Sequence, residues 1–277
     1  QKQDLRNQMW RNQSINDTYE PGSVFKVVTA AAALEKGVVN LNDTFNCPGF
    51  RMVEDRRIRC HKVRGHGSET FVQAIENSCN PVFIDIGQRV GAEDLYGYFR
   101  QFGLMEKTGI DVPGEANIIM HKLENIGLVE LATMSFGQSF QITPMQMAAT
   151  VSSIINGGLR ITPHFGVAIE NQDGKVLKKL SWPKGKRVVR AETSETMRFL
   201  LEKVVSEGGG KKAYIEGYRI GGKTGTANIA SNGGYSSDTV ASFIAMAPMD
   251  DPQVTVLVMV TRPKGSEFGA VNAGPIV

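Results

Sequence analysis

The sequence predicts a mixed fold, either α+β or a three-layer α/β arrangement. Three observations carry this expectation. Apolar residues recur at helical spacing through the middle of the chain. Strand-like runs flank that middle, at 44–60 on one side and at 218–228, 239–247 and 254–262 on the other. No segment repeats another. Helices bracketed by strands need packed layers to bury both kinds of apolar face.

Residues 1–22 are polar and read as an extended lead-in ending at the turn Glu20-Pro21-Gly22. From Ser23 to Lys36 the pattern is helical, with Val24, Val27, Val28, Ala31 and Leu34 at helix spacing, and Gly37 stops it. Residues 44–60 alternate around a polar centre at Glu54-Asp55, which predicts a β-hairpin. A short helix is expected over 68–77. Asn80 then reads as an N-cap, with Pro81 at the first helical position, for a helix to about Val90. Residues 92–102 and 127–137 are helical in pattern. Thr143-Pro144 repeats the cap-plus-proline start, and that helix runs to Asn156-Gly157-Gly158. Residues 165–178 predict a second hairpin, turning at Asn171-Gln172-Asp173-Gly174. Thr193 to Ser206 is an amphipathic helix closed by Gly208-Gly209-Gly210. Three strands follow. The last, around Val254–Val260, is too apolar and too β-branched for an exposed helix.

A chain of 277 residues can bury a large core as one domain or two. Apolar content of 41% and charged content of 21% are ordinary for a globular protein. The net charge of +3 is mild, and the basic residues are scattered apart from short clusters such as 184–187. That pattern reads as solvated surface and gives no nucleic-acid interface. No apolar run reaches the ~18 residues of a membrane span, and no signal peptide is visible. The chain begins at Gln1 and ends on Ile276-Val277 soon after a strand-like run. It reads as an excised domain whose membrane anchor lies elsewhere.

Three short motifs carry the chemistry: Ser23-Val24-Phe25-Lys26, Ser78-Cys79-Asn80 and Lys223-Thr224-Gly225-Thr226. Alone, the first would be a helix cap with a surface lysine, and the others chance matches. In this order they form the signature of serine acyl-transferases that react with penicillin. A serine hydroxyl needs a neighbouring base to become a nucleophile. Lys26 stands one turn after Ser23, on the same helix face. It becomes a base if desolvation or a nearby cation such as Lys223 lowers its pKa. The helix N-terminus at Ser23 favours developing negative charge.

On these motifs the chain resembles the monofunctional, class B penicillin-binding transpeptidase domains. Gly109-Ile110-Asp111-Val112-Pro113-Gly114-Glu115 and the stretch from Gly137-Gln138 to Thr143-Pro144-Met145-Gln146 extend the resemblance over nearly the whole chain. It implies a mostly antiparallel sheet covered by helices on both faces, plus an all-helical subdomain, as in serine β-lactamases. The active site is expected between the two parts, with the Lys223–Thr226 strand at its edge. The family's final helix is expected to be absent. The resemblance implies Ser23 as nucleophile, Lys26 as base and Ser78 as proton relay to the leaving amine. It gives Asn80 hydrogen bonds to Lys26 and to the substrate amide. Lys223 would hold the Ser78 region and the substrate carboxylate field. Thr224, Gly225 and Thr226 would bind substrate or β-lactam, Gly225 by leaving room for it and Thr226 at its carboxylate. The N–H groups of Ser23 and Thr226 would form the oxyanion hole. The implied reaction is D,D-transpeptidation of peptidoglycan stem peptides ending in D-Ala-D-Ala, on the outer face of a bacterial membrane, beside a SEDS-type glycan polymerase. A β-lactam sensor and a serine β-lactamase or D,D-carboxypeptidase are the alternatives.

The cysteines are odd in number. Cys47, Cys60, His66 and Cys79 are spaced C-x12-C-x5-H-x12-C. The expected hairpin sets Cys47 opposite Cys60. Three readings stand: a structural Cys3His zinc site, a Cys47–Cys60 disulfide with Cys79 free, or three inert buried thiols. The resemblance adds that some class B members carry a metal at matching positions. His61 and Asp55 are reserve ligands.

Overall fold

The computed structural model describes residues 2–183, 185–231 and 234–277. Gln1, and Lys184 of the basic cluster, lie outside the described residues. The start of the chain is not an extended lead-in. Helix α1 (Lys2–Trp10) buries none of its residues, and α2 (Gln13–Asn16) buries only Ile15. Polar helix formers such as Lys2, Gln3 and Gln8 sustain a solvated helix without apolar periodicity.

The nucleophile segment enters as a 3₁₀ turn, Gly22–Phe25, and continues as α3 (Lys26–Lys36). Every residue from Val24 to Ala33 is buried, so α3 forms a central post. Gly37 closes it at φ 75°, a left-handed conformation that favours glycine.

Strands β1 (Thr44–Cys47), β2 (Phe50–Val53), β3 (Arg56–Arg59) and β4 (Gly67–Thr70) follow. The expected hairpin holds only for β2 and β3. β1 instead pairs with β4, setting Cys47 opposite Gly67. The hairpin register therefore does not oppose Cys47 to Cys60. Helix α4 (Phe71–Glu76) starts at a Thr70/Gln73 capping box. In α5 (Asn80–Val90) the cap position belongs to Cys79, and Asn80 is already inside the helix. The N-cap expectation for Asn80 fails because its side chain is taken by Lys26.

α6 (Ala92–Gln101), α7 (Leu128–Met134) and α8 (Pro144–Ile155) complete the helical part, α8 with the expected Thr143 cap. Phe25 packs edge-on against Phe99 and Phe140, at centroid distances of 4.9 and 4.6 Å. After the exposed hairpin of β5 (Ala168–Glu170) and β6 (Val176–Lys179), α9 (Ala191–Ser206) leads into the main sheet. Its strands are β7 (Gly221–Ser231), β8 (Gly234–Ala247) and β9 (Val254–Thr261), in the order β7-β8-β9. All named strand pairings are antiparallel, which selects α+β over α/β. Along β8, Ile244 and Met246 join the main core, whereas Phe243 and Ala245 pack with Val205, Ala213 and Ala273. Strand alternation thus buries both faces of the sheet. A short α10 (Gly269–Asn272) follows β9, where no helix was expected.

Candidate active site

Ser23 lies in the 3₁₀ turn, where residues three apart eclipse, so the turn stacks Ser23 over Lys26. The Lys26 N–H donates to the Ser23 carbonyl. Two glycines let this turn lie against β7. A Cβ on Gly22 would sit 2.9 Å from the Thr226 carbonyl oxygen. One on Gly225 would sit 2.8 Å from Val24 Cγ2 and 3.2 Å from the Pro21 carbonyl oxygen. Gly225 therefore makes room for the nucleophile turn itself. That corrects the expectation that its missing side chain clears space for substrate.

Lys26 and Lys223 are each 1% exposed. Lys26 Nζ donates to the Ser78 carbonyl at 2.6 Å, to Ser78 Oγ at 3.1 Å and to Asn80 Oδ1 at 2.7 Å. Lys223 Nζ donates to Ser78 Oγ at 2.8 Å. Ser78 Oγ is thus held between two lysines from different motifs. Burial lowers the Lys26 pKa to about 7, against the opposing pull of Cys79, Cys60 and Glu69. Burial also lowers Lys223, and the Lys26 charge lowers it further. Desolvation, then, is what makes Lys26 a base, and the repulsion between the two lysines falls on Lys223. Ser78 adopts φ 51°, a strained conformation for a residue with a side chain.

Asn80 Nδ2 donates to the Arg59 carbonyl at 3.2 Å, leaving one amide N–H for a substrate. On β7, Lys223 and Gly225 are buried while Thr224 and Thr226 are half-buried, as alternation predicts. Thr226 Oγ1 accepts from the Gly269 N–H at 3.3 Å. Ser23 Oγ makes no hydrogen bond among the described residues.

Glu20, which the sequence offers only as a turn residue, is 9% exposed. Its carboxylate accepts from the Ser139 N–H at 3.1 Å and from the Tyr235 hydroxyl at 3.0 and 3.1 Å. It ties the turn before Ser23 to the β7–β8 hairpin. No local signal announces this, because its partners lie far away in sequence. A cleft of about 950 Å³ lies elsewhere, lined by Asn16, Thr18, Gln141, Ala227 and Val260 among others, and includes none of the motif side chains.

The cysteine expectation converges on one cluster. The donor atoms of Cys47, Cys60, His66 and Cys79 lie within 4.8 Å of one another. All three cysteines are buried and free, so the Cys47–Cys60 disulfide does not form. A hydrogen bond from the Cys79 thiol holds Cys60 down, toward the thiolate, and the same bond pushes Cys79 up. Thiolate is the metal-binding form. Soft buried donors at this spacing fit a closed tetrahedral zinc site. Of the reserve ligands, His61 Nδ1 lies 3.9 Å from Cys60 Sγ. Asp55 points to solvent beside Arg56 and takes no part.

The penicillin binding protein transpeptidase domain family matches residues 1–277. This chain belongs to that family. The domain is 46% identical over 271 residues to Stage V sporulation protein D of Bacillus subtilis, covering 96% of this chain and 42% of that protein. It is 30% identical over 273 residues to the probable peptidoglycan D,D-transpeptidase PenA of Neisseria gonorrhoeae, covering 96% and 44%. The transpeptidase domain thus spans less than half the length of these curated relatives. Its fold matches that of penicillin binding protein 3 from Mycobacterium tuberculosis in complex with aztreonam, with a TM-score of 0.87 at 29% identity, covering 96% of this chain and 62% of that one. No helix among the described residues is long and apolar enough to cross a membrane.

Proposed function

We propose that this domain is a peptidoglycan D,D-transpeptidase that works through an acyl-enzyme on Ser23, and that β-lactams acylate the same serine. The observation that carries this reading is Ser78 Oγ held between Lys26 and Lys223, at 3.1 and 2.8 Å. A hydroxyl has two lone pairs and one proton. With both lone pairs accepting from lysines, the Ser78 proton is free to go to a leaving amine.

The reaction follows from this arrangement. Neutral Lys26 takes the Ser23 Oγ proton as Oγ bonds to the penultimate D-Ala carbonyl carbon. The Ser23 and Thr226 N–H groups meet the developing oxyanion, each such donor being worth about 10²–10³ in rate. The proton passes through Ser78 to the departing D-Ala nitrogen, and the C–N bond breaks. An amine from a neighbouring stem then attacks the ester and releases Ser23 with its proton restored. Asn80 holds Lys26 and offers its remaining N–H to the substrate. Thr224 and Thr226 line the strand against which substrate lies.

Acylation is expected to rise with pH through about 7, the value to which burial lowers Lys26. Below it Lys26 is protonated and cannot accept. The rate constant for a fluorescent penicillin, followed across the neutral range, checks this; a flat profile removes Lys26 as the titrating base. Thr226→Val is expected to slow acylation by carboxylate-bearing β-lactams about 10–100-fold, the worth of one hydrogen bond to a charged group. Unchanged kinetics would place the carboxylate elsewhere.

The test of the overall reading is product analysis. A stem peptide ending in D-Ala-D-Ala, supplied with an acceptor amine, is expected to give cross-linked peptide and free D-Ala. Hydrolysed peptide alone would make the domain a carboxypeptidase, and acylation without either product a sensor.

A structural zinc ion on Cys47, Cys60, His66 and Cys79 belongs to the same proposal. It would fix the turn presenting Ser78 and Asn80, and supplies no step of the reaction. The wider setting rests on the resemblance: a parent protein anchored in the cell membrane with this domain on the extracytoplasmic face, paired with a SEDS-type glycan polymerase. The name of the 46% identical relative favours a role in sporulation. Loss of spore formation on replacing Ser23 in a spore-forming host is the corresponding test.

A further inference from the structure

We propose that the exposed face of the β2–β3 hairpin, with Arg57 and Arg59, and the loop after it, with Lys62 and Arg64, bind the carboxylates of an acidic donor stem peptide. The inference rests on the transpeptidase reading above. Between residues 56 and 68 the chain carries Arg56, Arg57, Arg59, Lys62 and Arg64 and no Asp or Glu. Arg56 is paired with Asp55 at 3.6 Å. Arg57, Arg59, Lys62 and Arg64 are exposed and have no ion pair among the described residues. Like charges gathered this closely repel one another, and an anion relieves the repulsion.

What separates this patch from an ordinary solvated face is where it ends. The β2–β3 pairing sets Phe50 opposite Arg59 and Met52 opposite Arg57, so these four side chains share one face. The other face is turned inward, where Arg51 pairs with Asp85 of α5 and Ile58 packs against the core. The outer face is open. Met52 is 51% exposed there, and the Arg57 guanidinium lies 4.0 Å over the Phe50 ring. Strand β3 then runs into the active site. The Arg59 carbonyl accepts from Asn80 Nδ2 at 3.2 Å, the same amide that has one N–H left for the substrate. The loop beyond is ordered. The Cys60 N–H donates to the Gly49 carbonyl and the Gly65 N–H to the Lys62 carbonyl, each at 2.8 Å. Gly65 adopts φ 77°, and a Cβ there would sit 2.1 Å from the Cys47 carbonyl oxygen. Lys62 and Arg64 thus hang on a fixed backbone, and only their side chains are left to order on binding.

The direction of the peptide follows from two contacts. In the transpeptidase reading the terminal carboxylate lies at Thr226 on β7, and an upstream amide lies at Asn80. A donor held at both points leaves the site on the Asn80 side, over the end of β3. Its upstream residues meet Arg59 first, then the rest of the patch. A surface of one sign beside a cleft raises the local concentration of substrate of the opposite sign. Stem peptides with free carboxylates are thereby selected over those whose acids are amidated.

Two peptides ending in D-Ala-D-Ala test this, identical except that the upstream acids are glutamate in one and glutamine in the other. Release of D-Ala is followed with an acceptor amine present, which counts transfer and hydrolysis alike. The wild-type chain is expected to favour the acidic peptide about 10-fold in kcat/KM, mainly through KM. That preference should fade as salt rises from about 0.05 to about 0.5 M. The double variant Arg57→Gln/Arg59→Gln is expected to use both peptides equally. Arginines with a merely structural role would slow both peptides alike and leave the preference standing, which overturns the proposal. Equal use of both peptides by the wild type overturns this inference alone; sedimentation of that chain with phosphatidylglycerol vesicles would then assign the patch to a membrane. No D-Ala from either peptide overturns the transpeptidase reading and this inference together.

Discussion

Lys26→Ala is expected to react with penicillin about 10²–10⁴-fold more slowly than the wild type, the usual contribution of a positioned general base. Lys26 is the only charged residue in the buried stretch from Val24 to Ala33 of the central post, and burial lowers its pKa to about 7. No other group with that property stands on the turn of Ser23. Lys223, also buried, holds Ser78 Oγ from strand β7, at 2.8 Å. The variant leaves Asn80 Oδ1 and the Ser78 carbonyl without their donor, so some loss of stability accompanies the kinetic effect. Thermal unfolding measured on the same sample separates the two. Near-normal acylation by a folded variant would move the base elsewhere.

Metal removal is expected to lower the melting temperature and slow acylation together. Metal affinity at a site that exists only in the folded chain is folding free energy. Each ~1 kcal/mol lost corresponds to about 2–4 °C in a domain of comparable size. The kinetic effect arises because Cys79 lies between Ser78 and Asn80, so releasing Cys79 loosens both catalytic neighbours. Cys79→Ser is expected to reproduce both changes while leaving Ser78 and Asn80 intact. Reductant is expected to do nothing, since the cysteines are free thiols. A chain whose melting temperature and acylation rate ignore a strong chelator would contradict the structural role of the metal.

What was legible in the sequence was whatever chemistry writes at a fixed local offset. Ser23 and Lys26 need one turn between them, Ser78 and Asn80 a tight link, and Lys223 to Thr226 a strand. What joins these motifs was not legible. That Ser78 Oγ sits between two lysines depends on α3, the 77–80 turn and β7 meeting in space. Asn80-Pro81 and Thr143-Pro144 look alike, yet only Thr143 caps its helix. The buried Lys26 side chain takes Asn80 Oδ1 away from the local cap, which no window of neighbouring residues can reveal. The hairpin at 44–60 misled for a related reason. The alternation of β1 suits any antiparallel partner, and the partner is β4, beyond the Cys60–His66 loop. Helix α1 lacked an apolar face to announce it.

The most direct measurement is the intact mass of the chain after brief exposure to penicillin, followed by peptide mapping. A single added antibiotic, attached to the peptide containing Ser23 and absent from Ser23→Ala, is the expected result. No stable adduct, or an adduct that persists in Ser23→Ala, would contradict a Ser23 acyl-enzyme.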